Sequence, residues 1–481
     1  MAVDEQSSGD QFDVIVIGGG PPGENVADYA HKGGLSAALI EHELVGGECS
    51  YWACIPSKAL LRPIDLLKTA RNVPGAAQAV TGQIDVPATL ARRTYFTGDW
   101  DDSGQVKWAE GAGITVIHGH ARLAGDKRVE VTLKDGTVRT LAANHAVCLA
   151  PGTVAAVPPI PGLHDANPWT SRELTSLRHV PRRVVILGGG VVACEGAQIL
   201  KGLGAEQVTL IERGAQLLGR TEPFAGELVA HAMRSDGIDV RLGSEAVEVS
   251  RPATGGEVTV TLKDGGTVVA DEIVVALGRQ PTTKDVGLET VGLVPGKNVE
   301  VDDHLTATGV EGEWLYAVGD VNGRALLTHM GKYQARVAGD VMAARAQGRP
   351  LDDPRFTASS DHTAITQVVF TDPQVAAVGL TTRQARDAGV DTQVIELDIA
   401  VAGSNLHRDD YKGHAMLVID RSAQTIVGCT FAGPDVADLL HAATVAVVGR
   451  VPLPTLWHAV PSFPTLSEVW LRLLEAWRAG A

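Results

Sequence analysis

The chain has 481 residues, 44% hydrophobic and 20% charged, which gives roughly three soluble domains, each able to bury its own core. A formal charge of −16 argues against a nucleic-acid partner, because neutralising a phosphate backbone needs a basic face. No apolar run reaches the roughly 18 residues of a membrane span, and the polar opening MAVDEQSSGDQF lacks the apolar core of a secretory signal; with five scattered cysteines the expectation is a cytoplasmic protein.

In chain order, FDVIVIGGGPPGENVADYAHKGGLSAALIE predicts strand, glycine turn, helix and strand. Val14 to Ile17 is a short, uniformly apolar run of the kind a buried parallel strand needs. Gly18, Gly20 and Gly23 form a G-x-G-x-x-G pattern, and Glu41 ends the strand that follows the helix. Such glycines allow a tight turn and close approach of the backbone to a dinucleotide pyrophosphate, while the acid accepts hydrogen bonds from a ribose. The plainer reading is a turn that only packs tightly. Pro21 and Pro22 remove amides that have no helical partner in a first turn anyway.

Next comes GGECSYWACIPSK, with Cys49 and Cys54. A regular helix rising about 1.5 Å per residue would hold their α-carbons about 7.5 Å apart. A disulfide wants about 4.4–6.8 Å. The pair can therefore close only where the backbone is irregular, which Pro56 favours. A helical start nearby would depress a thiol pKa. Three readings stand at this point: a redox-active pair, a zinc site needing ligands beyond His42, and two unrelated buried thiols. Cys148, Cys194 and Cys429 sit in apolar stretches and read as small core residues.

RVEVTLKDGTVRTL predicts an antiparallel pair about an Asp-Gly turn, and the proline-rich APGTVAAVPPIPG a crossing between domains. RRVVILGGGVVACEGAQILKGLGAEQVTLIE then repeats the first unit, with Gly188, Gly190, Ala193 and Glu212 at the matching places. An acid at Glu212 favours an unphosphorylated ribose, hence NADH; Arg213 and Ala193 are compatible with NADPH. Loops and strands run to GEWLYAVGD, and a helix is expected through HMGKYQARVAGDVMAARAQ. From about residue 352 strands such as AITQVVF and TIVGCTFAG precede apolar helices in DLLHAATVAVVG and LSEVWLRLLEAW. That is an α+β module whose apolar tail suits a partner surface.

GGECSYWACIPSKALLR resembles the active-site segment of the pyridine nucleotide-disulfide oxidoreductases, the family of dihydrolipoyl dehydrogenase, glutathione reductase and mercuric reductase. LAPGTVAAVPPIPG, VVALGRQPTT, WLYAVGD and VVFTDPQVAAVGLT resemble, in the family's order, its crossing, its end-of-NAD-domain segment, its second FAD motif and the start of its interface domain. The resemblance implies an α/β fold with two Rossmann-like dinucleotide-binding domains plus a C-terminal α+β dimerisation domain, working as a homodimer. The FAD domain would span residues 1–165 and 286–351, the inserted NAD(P) domain 166–285, and the interface domain 352–481. FAD would rest on Gly18, Gly20, Gly23, Glu41, Gly47, Ala121, Gly152 and Thr153. Asp320 would hold its ribitol or diphosphate side, with Thr328 and His329 by the pyrimidine edge. NAD(P)H would meet Gly188, Gly190, Ala193, Glu212 and Gly278. Lys58 would lie near flavin N5 and pair with Glu195. The plain readings are an exposed helix lysine for Lys58 and a turn-capping aspartate for Asp320.

The implied chemistry is a relay: hydride passes from NAD(P)H to the flavin, the reduced flavin opens the Cys49–Cys54 disulfide through Cys54, and Cys49 attacks the oxidised substrate as thiolate. The family usually ends in His-Pro-Thr-x-x-Glu, but here the text is WHAVPSFPTLSE. Phe463 takes the place of the histidine and Glu468 that of the glutamate; with His458-Ala459 matched instead, Val460 takes the histidine's place. Losing that base costs about 10²–10⁴-fold in proton transfer, so efficient turnover of lipoamide or glutathione disulfide is not expected. His458 and Tyr51 are the candidate replacements. Glu48, where the family commonly has threonine, would raise the Cys49 pKa. Mercury as native substrate is not expected either, since the closing AWRAGA carries no second cysteine pair. The leading expectation is reduction of a disulfide or related sulfur electrophile. The alternative is quinone, dye or metal-ion reduction directly from the flavin, and a non-catalytic redox sensor or scaffold comes third. No resident metal is expected.

Overall fold

The computed structural model describes residues 10–253 and 255–480. Most of the opening segment read above as no secretory signal, residues 1–9, lies outside them. The chain divides into two compact units. One takes the described part of Met1–Ile55 with Thr94–Val154 and Arg279–Asp361; the other takes Pro56–Arg93, Ala155–Gly278 and the described part of His362–Ala481.

The chain begins with β1 (Gln11–Ile17), α1 (Pro21–Lys32), β2 (Ala37–Glu41), α2 (Gly47–Tyr51) and α3 (Cys54–Arg71). Strands β3 (Thr115–Leu123), β4 (Arg128–Leu133) and β5 (Val138–Leu149) follow. β1 lies between β2 and β5 and parallel to both, with Val14 opposite Ala37 and Ala146. Both of its faces are therefore covered. Val14 and Val16 enter one core cluster and Ile15 and Ile17 another, the two-residue alternation of a strand. This explains the unbroken apolar run, each side chain of which stabilises by about 1.5–3 kcal/mol when fully buried. β3 pairs parallel with β2 as far as His118, then antiparallel with β4 from Gly119; β4 and β5 form the hairpin expected at the Asp-Gly turn.

The second glycine unit repeats this plan. β6 (Arg183–Leu187), α4 (Val191–Gly202), β7 (Gln207–Glu212), α5 (Pro223–Ser235), β8 (Asp239–Leu242) and β9 (Glu272–Val275) give a four-stranded parallel sheet in the order β9-β6-β7-β8. Val184 and Ile186 point into one cluster, Val185 and Leu187 into another. Later, β10 (Leu315–Ala317) joins the first unit's sheet parallel to β5, and α6 (Thr328–Ala346) packs along α1. Gly33 and Gly339 permit that packing: a β-carbon on either would overlap Ala343 or come within 2.5 Å of Tyr29.

The C-terminal module is a five-stranded antiparallel sheet. Its strands β11 (Thr366–Val369), β12 (Gln374–Gly379), β13 (Thr392–Asp398), β14 (His414–Asp420) and β15 (Thr425–Gly433) lie in the order β11-β12-β15-β14-β13. Helices α7 (Leu440–Val448) and α8 (Glu468–Ala479) follow. Val445 and Val448 on α7 are more than half exposed, in keeping with the apolar tail read from the sequence. Cys148, Cys194 and Cys429 are buried, and burial pushes each thiol well above its ordinary value.

Candidate active site

In the first unit everything turns about the glycine loop. Gly18 has φ +104°, and a β-carbon there would overlap Ala150 O; a β-carbon on Gly23 would overlap Gly18 O. Only glycine fits either place. A β-carbon on Gly20 would meet nothing nearer than Pro22 Cδ at 4.0 Å, and Gly20 caps α1, whose first two residues are Pro21 and Pro22. Glu41 braces the loop: Oε2 accepts from Gly19 N at 2.7 Å and Oε1 from Glu43 N at 2.8 Å. Burial alone would raise its carboxyl, yet His42 and these amides hold it below the usual range.

The cysteine segment sits against this loop. Gly46 and Gly47 both have positive φ, and a β-carbon on Gly47 would lie 2.8 Å from the Gly20 α-carbon. Cys49 lies in α2 and Cys54 opens α3; Trp52 between them, at φ −137°, breaks the helical path. The backbone is thus irregular where closing the pair requires it. Pro56 falls in the first turn of α3, where its missing amide costs nothing. Both cysteines are partly buried, and Cys54 Sγ lies 3.4 Å from Oγ1 of Thr328, the first residue of α6. Tyr51 is buried and donates to Val45 O at 3.0 Å; burial and nearby acids push its phenol up to about 12. Its hydroxyl proton is therefore directed at Val45 O.

Beside these residues lies a polar cluster. Thr153 Oγ1 donates to Asp320 Oδ2 at 2.6 Å and accepts from Arg279 Nε at 2.6 Å, while Arg279 Nη2 donates to Thr153 O at 2.6 Å. Arg279 also faces Glu48 at 3.5 Å and Asp320 at 3.8 Å. Burial raises the Asp320 carboxyl; the Thr153 hydroxyl and the Arg279 charge draw it partly back. Gly152 has φ +70°, open space at its α-carbon, and accepts from Thr282 N at 3.1 Å.

In the second unit, Lys58 Nζ donates to Glu195 Oε2 at 2.7 Å, and Glu195 Oε1 accepts from Phe370 N at 2.9 Å. The lysine also stands 4.9 Å from the centre of the Phe370 ring. The second glycine turn copies the first: Gly188 has φ +119°, Gly190 caps α4, and Ala193 is fully buried. Glu212 Oε1 accepts from Gly214 N at 2.5 Å, and a β-carbon on Gly189 would strike the Glu212 side chain.

Residues 12–348 match the pyridine nucleotide-disulphide oxidoreductase family, and residues 365–473 match that family's dimerisation domain. The chain belongs to this family. It is an FAD-dependent pyridine nucleotide oxidoreductase. A mercuric reductase of Shigella flexneri is 32% identical over 97% of this chain and 80% of its own length. A dihydrolipoyl dehydrogenase of Chlorobaculum tepidum is 31% identical over 95% of both chains. Among solved structures, the HOCl-induced flavoprotein disulfide reductase RclA from Escherichia coli, as its Cu(II) complex, shares the fold with a TM-score of 0.82 at 23% identity, over 97% of this chain and 99% of that one. LpdA from Mycobacterium tuberculosis does so at 0.81 and 24%, over 97% and 99%.

Of the other expected site residues, Ala121 is buried in β3, His329 is exposed in the first turn of α6, and Gly278 has φ +117° and accepts from Ala156 N at 2.9 Å. His458 is exposed, and Phe463 and Val460 are 76% and 87% exposed. Glu468 is buried and accepts from Gly403 N at 3.3 Å. Arg279 and Phe370 escaped the sequence reading, although both stand in segments, LGRQPTT and VVFTDP, that carry the family likeness. Among the described residues no cluster could hold a metal ion, and no helix is long and apolar enough to cross a membrane.

Proposed function

We propose that this family member uses a pyridine nucleotide to reduce a disulfide or related sulfur electrophile through Cys49 and Cys54. The observation that carries the reading is the broken helix: two cysteines on either side of Trp52, with the second opening α3 beside Thr328. FAD, when bound, supplies two-electron passage from nicotinamide to sulfur. The first glycine turn fits its diphosphate, because Gly18 and Gly23 allow the tight turn and Gly20 leaves the backbone open at a helix start. Glu41, Gly47, Ala121, Gly152, Thr153, Asp320, Thr328 and His329 are assigned to the same group, and Gly188, Gly190, Ala193, Glu212 and Gly278 to the nicotinamide nucleotide. Cys54 is the inner sulfur and Cys49 the outer one, which attacks substrate as thiolate. Lys58, one helical turn after Cys54, is assigned to the flavin, with Glu195 and Phe370 fixing its ammonium. The working form is a homodimer, supported by the dimerisation domain and the exposed apolar side chains of α7.

NADH is the preferred donor in this reading, because the Glu212 carboxylate lies against the second glycine turn, where a 2′-phosphate would be repelled. Comparing kcat/KM for NADH and NADPH tests it; equal values or a preference for NADPH would count against the assignment.

A second reading is favoured by one observation: the family's basic histidine is replaced by exposed, apolar Phe463, and neither His458 nor Tyr51 offers an evident substitute. It is electron delivery to a quinone, dye or metal ion straight from the flavin. Cys49→Ser separates the two. Loss of acceptor turnover with flavin reduction intact supports the thiol route, and full turnover supports the direct one.

A further inference from the structure

Glu24 follows Gly23 directly, in the first turn of α1, and its backbone N–H donates to Gly20 O at 3.0 Å. It is only 8% exposed, and its Oε1 is buried without a hydrogen-bond partner among the described residues. An ionised carboxylate with an unmatched buried oxygen is costly, and a neutral carboxyl much less so. The groups facing it come from three elements: Lys332 on α6, Glu41 on β2 and Tyr51 on α2. One cation thus stands near two acids. Glu41 has its oxygens engaged by amides and His42, which hold it ionised. Glu24 is the member of the pair left to carry a proton.

We propose that Glu24 is the proton-binding residue of the flavin site, so that the FAD diphosphate settles on the first glycine turn together with one proton taken up by the Glu24 carboxyl. This rests on the assignment of that turn to FAD. Without the dinucleotide, burial already pushes Glu24 up to about 7, and Glu41 adds to the shift while Lys332 opposes it. A diphosphate beside the same helical turn adds negative charge at short range and raises the carboxyl further. Protons are then bound on association only above the value of the empty site. Affinity for FAD is unchanged with pH below about 6 and falls up to about tenfold per unit above about 7.

The test is flavin release from the holoenzyme between pH 6 and 9, read as the fluorescence of freed flavin after dilution, for the wild type and Glu24→Gln. Expected is a wild-type dissociation constant that climbs above pH 7 and a flatter line for the variant; parallel profiles overturn the proposal. If Glu24→Gln does not fold, calorimetry on the flavin-stripped wild-type chain at pH 8, in two buffers of different ionisation heat, counts the proton directly. Uptake of a clear fraction of a proton supports the proposal, and none overturns it. Gly20→Val separates the two layers of the argument. A Gly20→Val chain that keeps FAD as the wild type does removes the glycine-turn assignment and this proposal with it. Loss of FAD in that variant, with parallel profiles elsewhere, removes the Glu24 proposal alone.

Discussion

Glu48, the residue before Cys49, faces the Arg279 guanidinium across 3.5 Å. Read along the sequence, a carboxylate next to the outer sulfur is a repulsive neighbour for a thiolate. In the folded chain a cation stands beside it, and the same guanidinium grips Thr153 by two hydrogen bonds and approaches Asp320. One arginine therefore links the cysteine segment to the residues assigned to the flavin. Arg279→Met removes this cation from beside Glu48 and should shift Cys49 alkylation to higher pH, by about half to one unit for a partly buried pair at this distance. Glu48→Gln should shift it the other way. Iodoacetamide rates against pH on the dithiol form, with Cys54→Ser as background, read both. Equal profiles for the two variants would show that the pair leaves the thiol untouched.

Lys58 and Glu195 call for a stability measurement. Glu195 is almost wholly buried and Lys58 about one-third exposed. Removing one partner of a fully buried pair costs about 3–5 kcal/mol; solvent on the lysine side brings Lys58→Met down to about 1–2 kcal/mol. Adding Glu195→Gln should recover much of that loss, because the stranded charge disappears. Urea unfolding of the single and double variants checks this; a double variant less stable than Lys58→Met contradicts it. Rapid-mixing reduction by NADH should also slow in Lys58→Met, about tenfold or more, if the ammonium acts on the flavin as assigned.

Glu24 also makes stability depend on pH in a definite direction. Its folded value, about 7, lies above the ordinary 4.5, so the unfolded chain releases this proton first. The stabilising neutral form is fully present below about pH 4.5, its benefit declines as pH rises to about 7, and it is gone above that. The difference of about 2.5 units corresponds to about 3 kcal/mol. In the flavin-free chain, Glu24→Gln should therefore raise the melting temperature at pH 8 and change it little at pH 4.5. The same increment at both pH values would mean the carboxyl does not titrate in this window.

Much of this is legible in the sequence alone. Each glycine unit declared itself because strand, turn, helix and terminal acid follow in a fixed order, and each step has a local cause: an apolar run, a residue that must take positive φ, a bare helix start. The three buried cysteines were equally plain from their apolar neighbours. Arg279 was not. Its partners Glu48 and Thr153 come far earlier in the chain, and Asp320 lies well beyond it. No local pattern marks a side chain whose contacts are all distant. Phe370 was hidden similarly, since its backbone N–H, rather than its ring, engages Glu195. Glu41 and Glu212 read as ribose acceptors in the sequence; in the fold Glu41 accepts from Gly19 N of its own turn, while Glu212 accepts from Gly214 N and lies against Gly189.

The apolar ending offers a gain-of-function test. Phe463→His puts imidazole where the family keeps its base, shortly ahead of Glu468. Turnover of a small disulfide should rise about tenfold or more in the dimer, with a new pH limb near 6–7 for the histidine. Cys49→Ser should abolish the gain. An unchanged rate would mean that Glu468, held by Gly403, cannot orient the new ring.

Gly47 rests on Gly20 backbone to backbone, with no room for even one methyl group on its α-carbon. The two motifs are therefore a single fitted part, although all of α1 and β2 separates them along the chain. Whoever grafts this cysteine segment into another flavoprotein must bring Gly47 and the turn beneath it together; a host with alanine at that place would lift the cysteine segment off the turn.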